Sequence, residues 1–199
     1  GHRYEYHNDG VKKFHADWAL WKAAGERSEM IWDSPWGPGY PGWHIECCAI
    51  ALHYLQPDAN SDTAIDIQGG GSDLIFPHHE MSAAQGKALE GREFASHYVH
   101  SGMIGLAGVK MSKSLGNLVF VSKLVASGTD PMSIRWALME SHYSQDRSWS
   151  QQLLDVSEAW ITRLRASLSM MECAPTDNVI EEIIASQADN LDTVRALSA

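Results

Sequence analysis

The sequence predicts an α/β body followed by an α-helical segment, and three observations carry that expectation. Thr63–Ile67 alternates like a short strand and runs straight into Gly69-Gly70-Gly71. His97–Ile104 reads as a second strand that ends at Gly105. Beyond Trp149 the apolar residues fall into helical stripes with no strand between them.

The elements follow in chain order. Residues 1–42 are loop-rich, punctuated by Gly10, Gly25, Pro35, Gly37, Pro38, Gly39, Pro41 and Gly42, and only Asp17–Ala24 has helical character. Trp32, Trp36 and Trp43 stand among these glycines and prolines, either as rings that pack a rigid loop or as one wall of a small-molecule pocket. From Ile45 onward, Cys47, Ile50, Ala51 and Tyr54 recur at helical spacing, and Met81–Leu89 predicts a second helix. Asp130-Pro131 is a helix start, a capping side chain followed by proline at the first helical position, with Ile134, Leu138 and Ser141 on one face. Leu153, Val156, Trp160, Leu164 and Leu168 form one apolar stripe. Ile180, Ile183, Ile184, Leu191 and Val194 form another after the break at Pro175, and both predict packing surface.

Composition narrows the function classes. The 199 residues are 44% hydrophobic and 20% charged, enough apolar side chain for a core. No run approaches the roughly 18–20 apolar residues of a membrane span. Three cysteines are too few for a disulfide framework, so a reducing cytoplasm is the expected compartment. A net charge of −10 argues against nucleic-acid binding through overall basic charge, though not against a local basic track. The chain starts at Gly1 without an initiator methionine, which fits a piece of something longer.

Three constellations carry chemistry. Gly69-Gly70-Gly71-Ser72-Asp73 lets a ligand approach the backbone, with a carboxylate beyond it to accept hydrogen bonds from ribose; a plain strand–loop turn has the same composition. Pro77-His78-His79-Glu80, with Cys47 and Cys48 upstream, offers an imidazole and a thiolate for zinc. A capped helix start with a structural histidine is the alternative, and His44, His53 and Cys173 have no zinc spacing. Lys110-Met111-Ser112-Lys113-Ser114 lies in a glycine-bounded loop after a strand, where two lysines can neutralise a polyphosphate as a bond breaks.

Taken in order, these motifs resemble the cysteinyl-tRNA synthetase family. They are Gly42-Trp43-His44-Ile45-Glu46-Cys47, Asp66 to Asp73, Phe76-Pro77-His78-His79-Glu80, His100-Ser101-Gly102-Met103, and K-M-S-K-S with Leu115-Gly116-Asn117. The resemblance implies the C-terminal half of a class I synthetase-type Rossmann catalytic domain over residues 1–120, followed by a mainly helical segment over 121–199. It implies that Cys47 and His78 ligate Zn2+ and that Trp43 lies beside the substrate cysteine. Gly71, Ser72, Asp73 and the backbone at Ile104 would hold the adenosine half of cysteinyl-adenylate. Lys110, Met111, Ser112, Lys113 and Ser114 would close on ATP, with Mg2+, and Lys110 and Lys113 would be catalytic. The family's other ATP motif and a further zinc cysteine are not in this chain, so the chain alone is expected to be inactive.

Departures from the tRNA enzymes sharpen the expectation. Ser82 stands where the histidine motif usually reaches a zinc-binding glutamate, and Gln68 where histidine often precedes the glycines. With Ser141-His142-Tyr143, Asp146 to Ser150, and Asn190-Leu191-Asp192-Thr193, these features look like the synthetase-derived ligases of mycothiol biosynthesis. That resemblance implies L-cysteine, ATP and glucosaminyl-inositol as substrates, no tRNA and no membrane partner, and a cytoplasmic monomer. The alternatives are a true cysteinyl-tRNA synthetase and a non-catalytic synthetase-like binding module. Because adjacent residues on a helix point about 100° apart, Cys47 is expected to face the metal and Cys48 to face elsewhere.

Overall fold

The computed structural model describes residues 17–55, 58–170 and 176–199. Gly10, Cys173 and Pro175 lie outside these residues. The chain divides into two compact units, residues 1–99 and 100–199. The K-M-S-K-S loop therefore falls in the same unit as the helical segment, beyond a division that comes after residue 99 and not after residue 120.

The first unit opens on a two-stranded ribbon. Strand β1 (Trp21–Ala23) pairs antiparallel with β2 (Gly39–Pro41), with Lys22 opposite Tyr40. The helix expected over Asp17–Ala24 is thus a strand. Cross-strand pairing and the left-handed turn at Gly25 (φ 57°) override a weak local preference. Helix α1 (Trp43–Leu55) follows, then β3 (Thr63–Gly71), helix α2 (Glu80–Glu90) and strand β4 (Glu93–Ser101), which pairs with β3. Between β3 and α2 come a 3₁₀ turn, Ser72–Leu74, and a wide turn, Ile75–His79. Cys48, Ala64, Ile65, Phe94 and Ala95 form the core here, backed by Ala51, Leu52 and Ala83. Strand β4 starts four residues before the expected His97 and stops at Ser101. Ile104 belongs to a different sheet.

In the second unit, β5 (Ile104–Leu106) and β6 (Val109–Lys110) form an antiparallel hairpin, and β7 (Arg147–Trp149) lies parallel to β5 with Ile104 opposite Arg147. Parallel neighbours need a crossover. Helices α3 (Val121–Ala126) and α4 (Pro131–Met139) supply it. Asp130 caps α4 by accepting from the Met132 amide at 2.9 Å, and it pairs with Arg165 on helix α5 (Gln151–Leu168). Helix α4 ends at Met139, so Ser141 lies beyond its expected face. Ile134, Ala137, Trp149 and Leu154 form the second core.

The C-terminal helices are where they were expected, but only part of each expected stripe is covered: Leu153 packs on the second core and Ile183 is half-buried. On α5 the buried residues are Leu154, Ser157 and Ile161, while Val156, Trp160, Leu164 and Leu168 are 43–75% exposed. Two neighbouring rows on one helix both look apolar enough, and the small Ser157 lets the helix approach closely. Its hydroxyl donates back to the Leu153 carbonyl at 2.8 Å and is satisfied. Helix α6 (Asp177–Ala188) and helix α7 (Thr193–Ser198) likewise leave Ile180, Ile184 and Val194 exposed, and Leu191 is exposed in the turn between them.

Two predictions follow from this packing. A Cβ at Gly86 would stand 2.2 Å from a ring carbon of fully buried Phe94. Gly86→Ala gains about 1 kcal/mol of helix propensity but overpacks the core by roughly 1–3 kcal/mol, so urea unfolding should show a net loss of stability. The Asp130 carboxyl is held below its ordinary value, first by the Arg165 hydrogen bond and then by the Met132 amide. A lowered folded-state value gives stability that is present at neutral pH and lost as pH falls through that value. Asp130→Asn should therefore shrink the acid dependence of the melting temperature below about pH 4, the ordinary carboxyl range.

Candidate functional site

The expected site residues fall on both units. In the first, Gly42 starts the arrangement: its amide donates to the Leu20 carbonyl at 2.9 Å, and a Cβ there would stand 2.0 Å from the Ala19 carbonyl oxygen. Helix α1 begins at the next residue. Trp43 is therefore a helix residue and not part of the tryptophan loop. Its ring stacks on His78 with centroids 4.2 Å apart. Trp32 and Trp36 remain 48% and 78% exposed, and the ribbon is braced instead by Trp21, whose indole N–H donates to the Gly37 carbonyl.

His44 is the contact of His78 that sequence spacing set aside. Its Nδ1 lies 2.7 Å from Nδ1 of His78, and both rings are buried. At that distance one nitrogen donates and the other accepts, so the two histidines hold complementary tautomers. Burial lowers both, and for His44 the neighbouring His78 and Lys22 add to the effect.

Cys47 and Cys48 part as helical geometry requires. Cys48 is fully buried in the first core, while Cys47 is partly exposed. Burial pushes both thiols up, followed by Glu46 for Cys47 and Glu90 for Cys48. Ser82 is fully buried, and its hydroxyl donates to the His44 carbonyl at 3.4 Å. It ties α1 to α2. Among the described residues, no group of three or more His, Cys, Asp and Glu gathers to hold a metal ion. Cys47 and His78 have the soft thiol and imidazole chemistry of zinc ligands. They need further donors to complete a site.

The glycine run divides its labour. A Cβ on Gly70 would stand 2.8 Å from Cε1 of buried His79, so this glycine makes room for an internal ring. Gly71 ends β3, and Ser72 and Asp73 turn away in the 3₁₀ segment, with Asp73 exposed. The Oε1 of Gln68 is buried with no hydrogen-bond partner.

In the second unit, one hairpin joins Ile104 to the lysine loop. Ala107 and Gly108, both at positive φ (52° and 77°), form the two-residue turn between β5 and β6. That is the turn whose twist matches paired strands. Lys110 then lies opposite Gly105. Met111 packs against the second core, while Lys110, Lys113 and Ser114 are exposed. The apolar residue anchors the loop and leaves the lysines at the surface. Asn117 fixes its shape: Oδ1 accepts from the Ser112 amide at 2.8 Å, and Nδ2 donates to the Lys110 carbonyl at 3.2 Å. Ser112 and Ser114 hydroxyls meet at 3.1 Å, and Gly116 turns the chain at φ 63°.

The thiol environments make a direct prediction. Iodoacetamide should modify Cys47 well before Cys48 in the native protein, with the sites read by peptide mass spectrometry. Because Cys47 is pushed up, its labelling rate should keep rising above the ordinary thiol range near pH ~8.5. Equal native rates at the two cysteines would contradict their assigned burial.

A ligase named L-cysteine:1D-myo-inositol 2-amino-2-deoxy-alpha-D-glucopyranoside ligase, from Nakamurella multipartita, is 50% identical over 189 residues, covering 94% of this chain and 45% of that protein. The ligase of the same name from Mycolicibacterium smegmatis is 51% identical over 92% of this chain and 43% of its own length. The chain thus spans less than half the length of these curated relatives. The LeuRS of Agrobacterium radiobacter K84, solved in a ternary complex with tRNA and LeuAMS, shares the fold, with a TM-score of 0.60 at 18% identity over 88% of this chain and 29% of that one. The family described as "tRNA synthetases class I (C) catalytic domain" matches residues 2–159, and the chain belongs to that family.

Proposed function

We propose that this chain is part of an ATP-dependent ligase that joins L-cysteine to the amine of glucosaminyl-inositol through cysteinyl-adenylate, a step of mycothiol biosynthesis. The observation that carries the reading is the lysine loop, with Met111 packed on the core and Lys110 and Lys113 at the surface, one hairpin from Ile104. The two relatives named as cysteine ligases, at 50% and 51% identity, support the choice of substrates.

In the first step a carboxylate oxygen of cysteine forms a bond to the α-phosphorus of ATP, and the bond to the bridging oxygen of the β-phosphate breaks. The electron pair leaves with pyrophosphate; Mg2+, when bound with ATP, would supply further positive charge to the phosphates. Lys110 and Lys113 act as point charges on the departing oxygens, the kind of contact worth more in the transition state than in the ground state. In the second step the amino-sugar nitrogen bonds to the acyl carbon, loses a proton, and AMP departs. In the first unit Gly71, Ser72 and Asp73 are nucleotide contacts and Trp43 borders the cysteine; in the second unit the backbone at Ile104 is a nucleotide contact in its own right. Cys47 and His78 would hold a zinc ion, which when bound supplies a soft site that takes a thiolate and not a hydroxyl. A net charge of −10 offers no extended field for a phosphate backbone, so a small neutral acceptor fits this chain better than tRNA. The same reading makes the enzyme a cytoplasmic monomer; among the described residues no helix is long and apolar enough to cross a membrane.

Lys110→Ala and Lys113→Ala in the full-length enzyme should slow cysteine-dependent ATP–pyrophosphate exchange by on the order of 10²–10³, with little change in cysteine binding. Wild-type exchange in both variants would reduce the loop to solvated surface. With glucosaminyl-inositol the enzyme should form the amide at a rate nearly independent of salt. Salt-sensitive formation of cysteinyl-tRNA without any amide would replace this reading with a tRNA synthetase.

A further inference from the structure

The loop between α4 and β7 is joined to two places at once. On one side it grips the backbone just ahead of Ile104. The Met103 amide donates to Oδ1 of Asp146 at 2.7 Å, the Gly102 amide to the Tyr143 carbonyl at 2.8 Å, and the Arg147 amide to the Met103 carbonyl at 2.9 Å. Contact is so close that a Cβ on Gly102 would stand 2.2 Å from the Gln145 carbonyl. On the other side the loop reaches the turn between α6 and α7. The Tyr143 hydroxyl donates to Oδ1 of Asn190 at 2.8 Å, and Nε2 of His142 donates to the Asn190 carbonyl at 3.0 Å. Nδ1 of His142 accepts from Ser144, which fixes that tautomer.

The Asn190 turn is also conformationally costly. Asn190 and Leu191 both have positive φ, 52° and 56°. Asparagine tolerates that region, but leucine does not do so readily. Strain of this kind persists only where surrounding contacts impose it. These contacts are polar and largely solvent-exposed, so they add little to net stability. Thr193, whose hydroxyl donates to the Met139 carbonyl at 2.8 Å, already ties α7 to α4. What the Asn190 contacts add is a fixed shape for the loop that holds Gly102 and Met103.

We propose that Asn190 is a positioning residue for ATP: through Tyr143 and the 141–146 loop it sets the backbone that leads into Ile104. The inference rests on the reading above that this backbone holds adenosine.

Three variants of the full-length enzyme test it. Asn190→Gly keeps the left-handed turn but removes the acceptor, Tyr143→Phe removes the donor, and Asn190→Asp keeps an acceptor oxygen. KM for ATP should rise about three- to tenfold in Asn190→Gly and Tyr143→Phe, with kcat for pyrophosphate exchange and the melting temperature nearly unchanged. Asn190→Asp should restore KM. Hydrogen exchange at the Met103 amide should quicken in the first two variants only. Unchanged KM with unchanged Met103 exchange would overturn the proposal, as would kcat and melting temperature falling together with the rise in KM. If wild-type enzyme shows no cysteine-dependent exchange, the functional reading fails. Met103 protection then decides the coupling alone, and equal protection in all variants would end it.

Discussion

The parallel pairing of Ile104–Leu106 with Arg147–Trp149 is the constraint on which the second unit is built. A tight turn cannot join parallel strands, so the chain must leave the sheet and return through helices. That excursion places Ile134 and Ala137 in one cluster with Trp149 and Leu154, and it brings Leu124, Val119 and Met111 onto the same apolar surface. The free edge of the central strand is then available for Val109–Lys110. One pairing decides both where the crossover helices pack and where the lysine loop begins. In the first unit, fully buried Phe94 lies against Gly86, and the two elements it joins could not approach so closely with any side chain at that glycine.

Much of the fold was legible because local chemistry determined it. Helix α1, strand β3 and helix α2 follow from periodicity, and α4 from Asp130-Pro131. The misreadings share a physical cause. Trp21–Ala23 is a strand because Gly39–Pro41 lies beside it, and no local pattern records that partner. The break at Gly102 comes from a distant loop that claims its amide, so a continuous alternation overstates the strand. On α5, periodicity identified a helix but not which of two adjacent rows meets the core. Small Ser157 decided that, and polarity scales rank it as a surface residue.

The site shows the same division. The exposure of Lys110 was legible from its charge, whereas Met111, read with its neighbours as part of the loop that closes on ATP, packs on the second core. The separation of Cys47 from Cys48 was readable from helical geometry. His44 was hidden because its partner, His78, is thirty-four residues away and the pair is made by packing of α1 against the turn before α2. Gly70 carried a misleading signal. A glycine beside a presumed ligand suggests room for that ligand, whereas here the space is filled by the protein's own His79 ring. Ser82, read from the sequence as a departure from the zinc-binding glutamate, is buried and donates its hydroxyl proton to the His44 carbonyl.

The two-residue turn at Ala107-Gly108 bears on how such a site can diverge. Successive strand residues point to opposite faces, so adding or removing one residue in this hairpin would invert everything that follows it. Lys110 would exchange sides with Met111, and the loop would lose its anchor and its charge placement in a single event. The number of residues between Ile104 and Lys110 is therefore fixed by register, while Gly105, packed against the Val109 backbone, and Gly108, at φ 77°, are fixed in kind as well. Variation in loop length must collect elsewhere, in connections that carry no strand register.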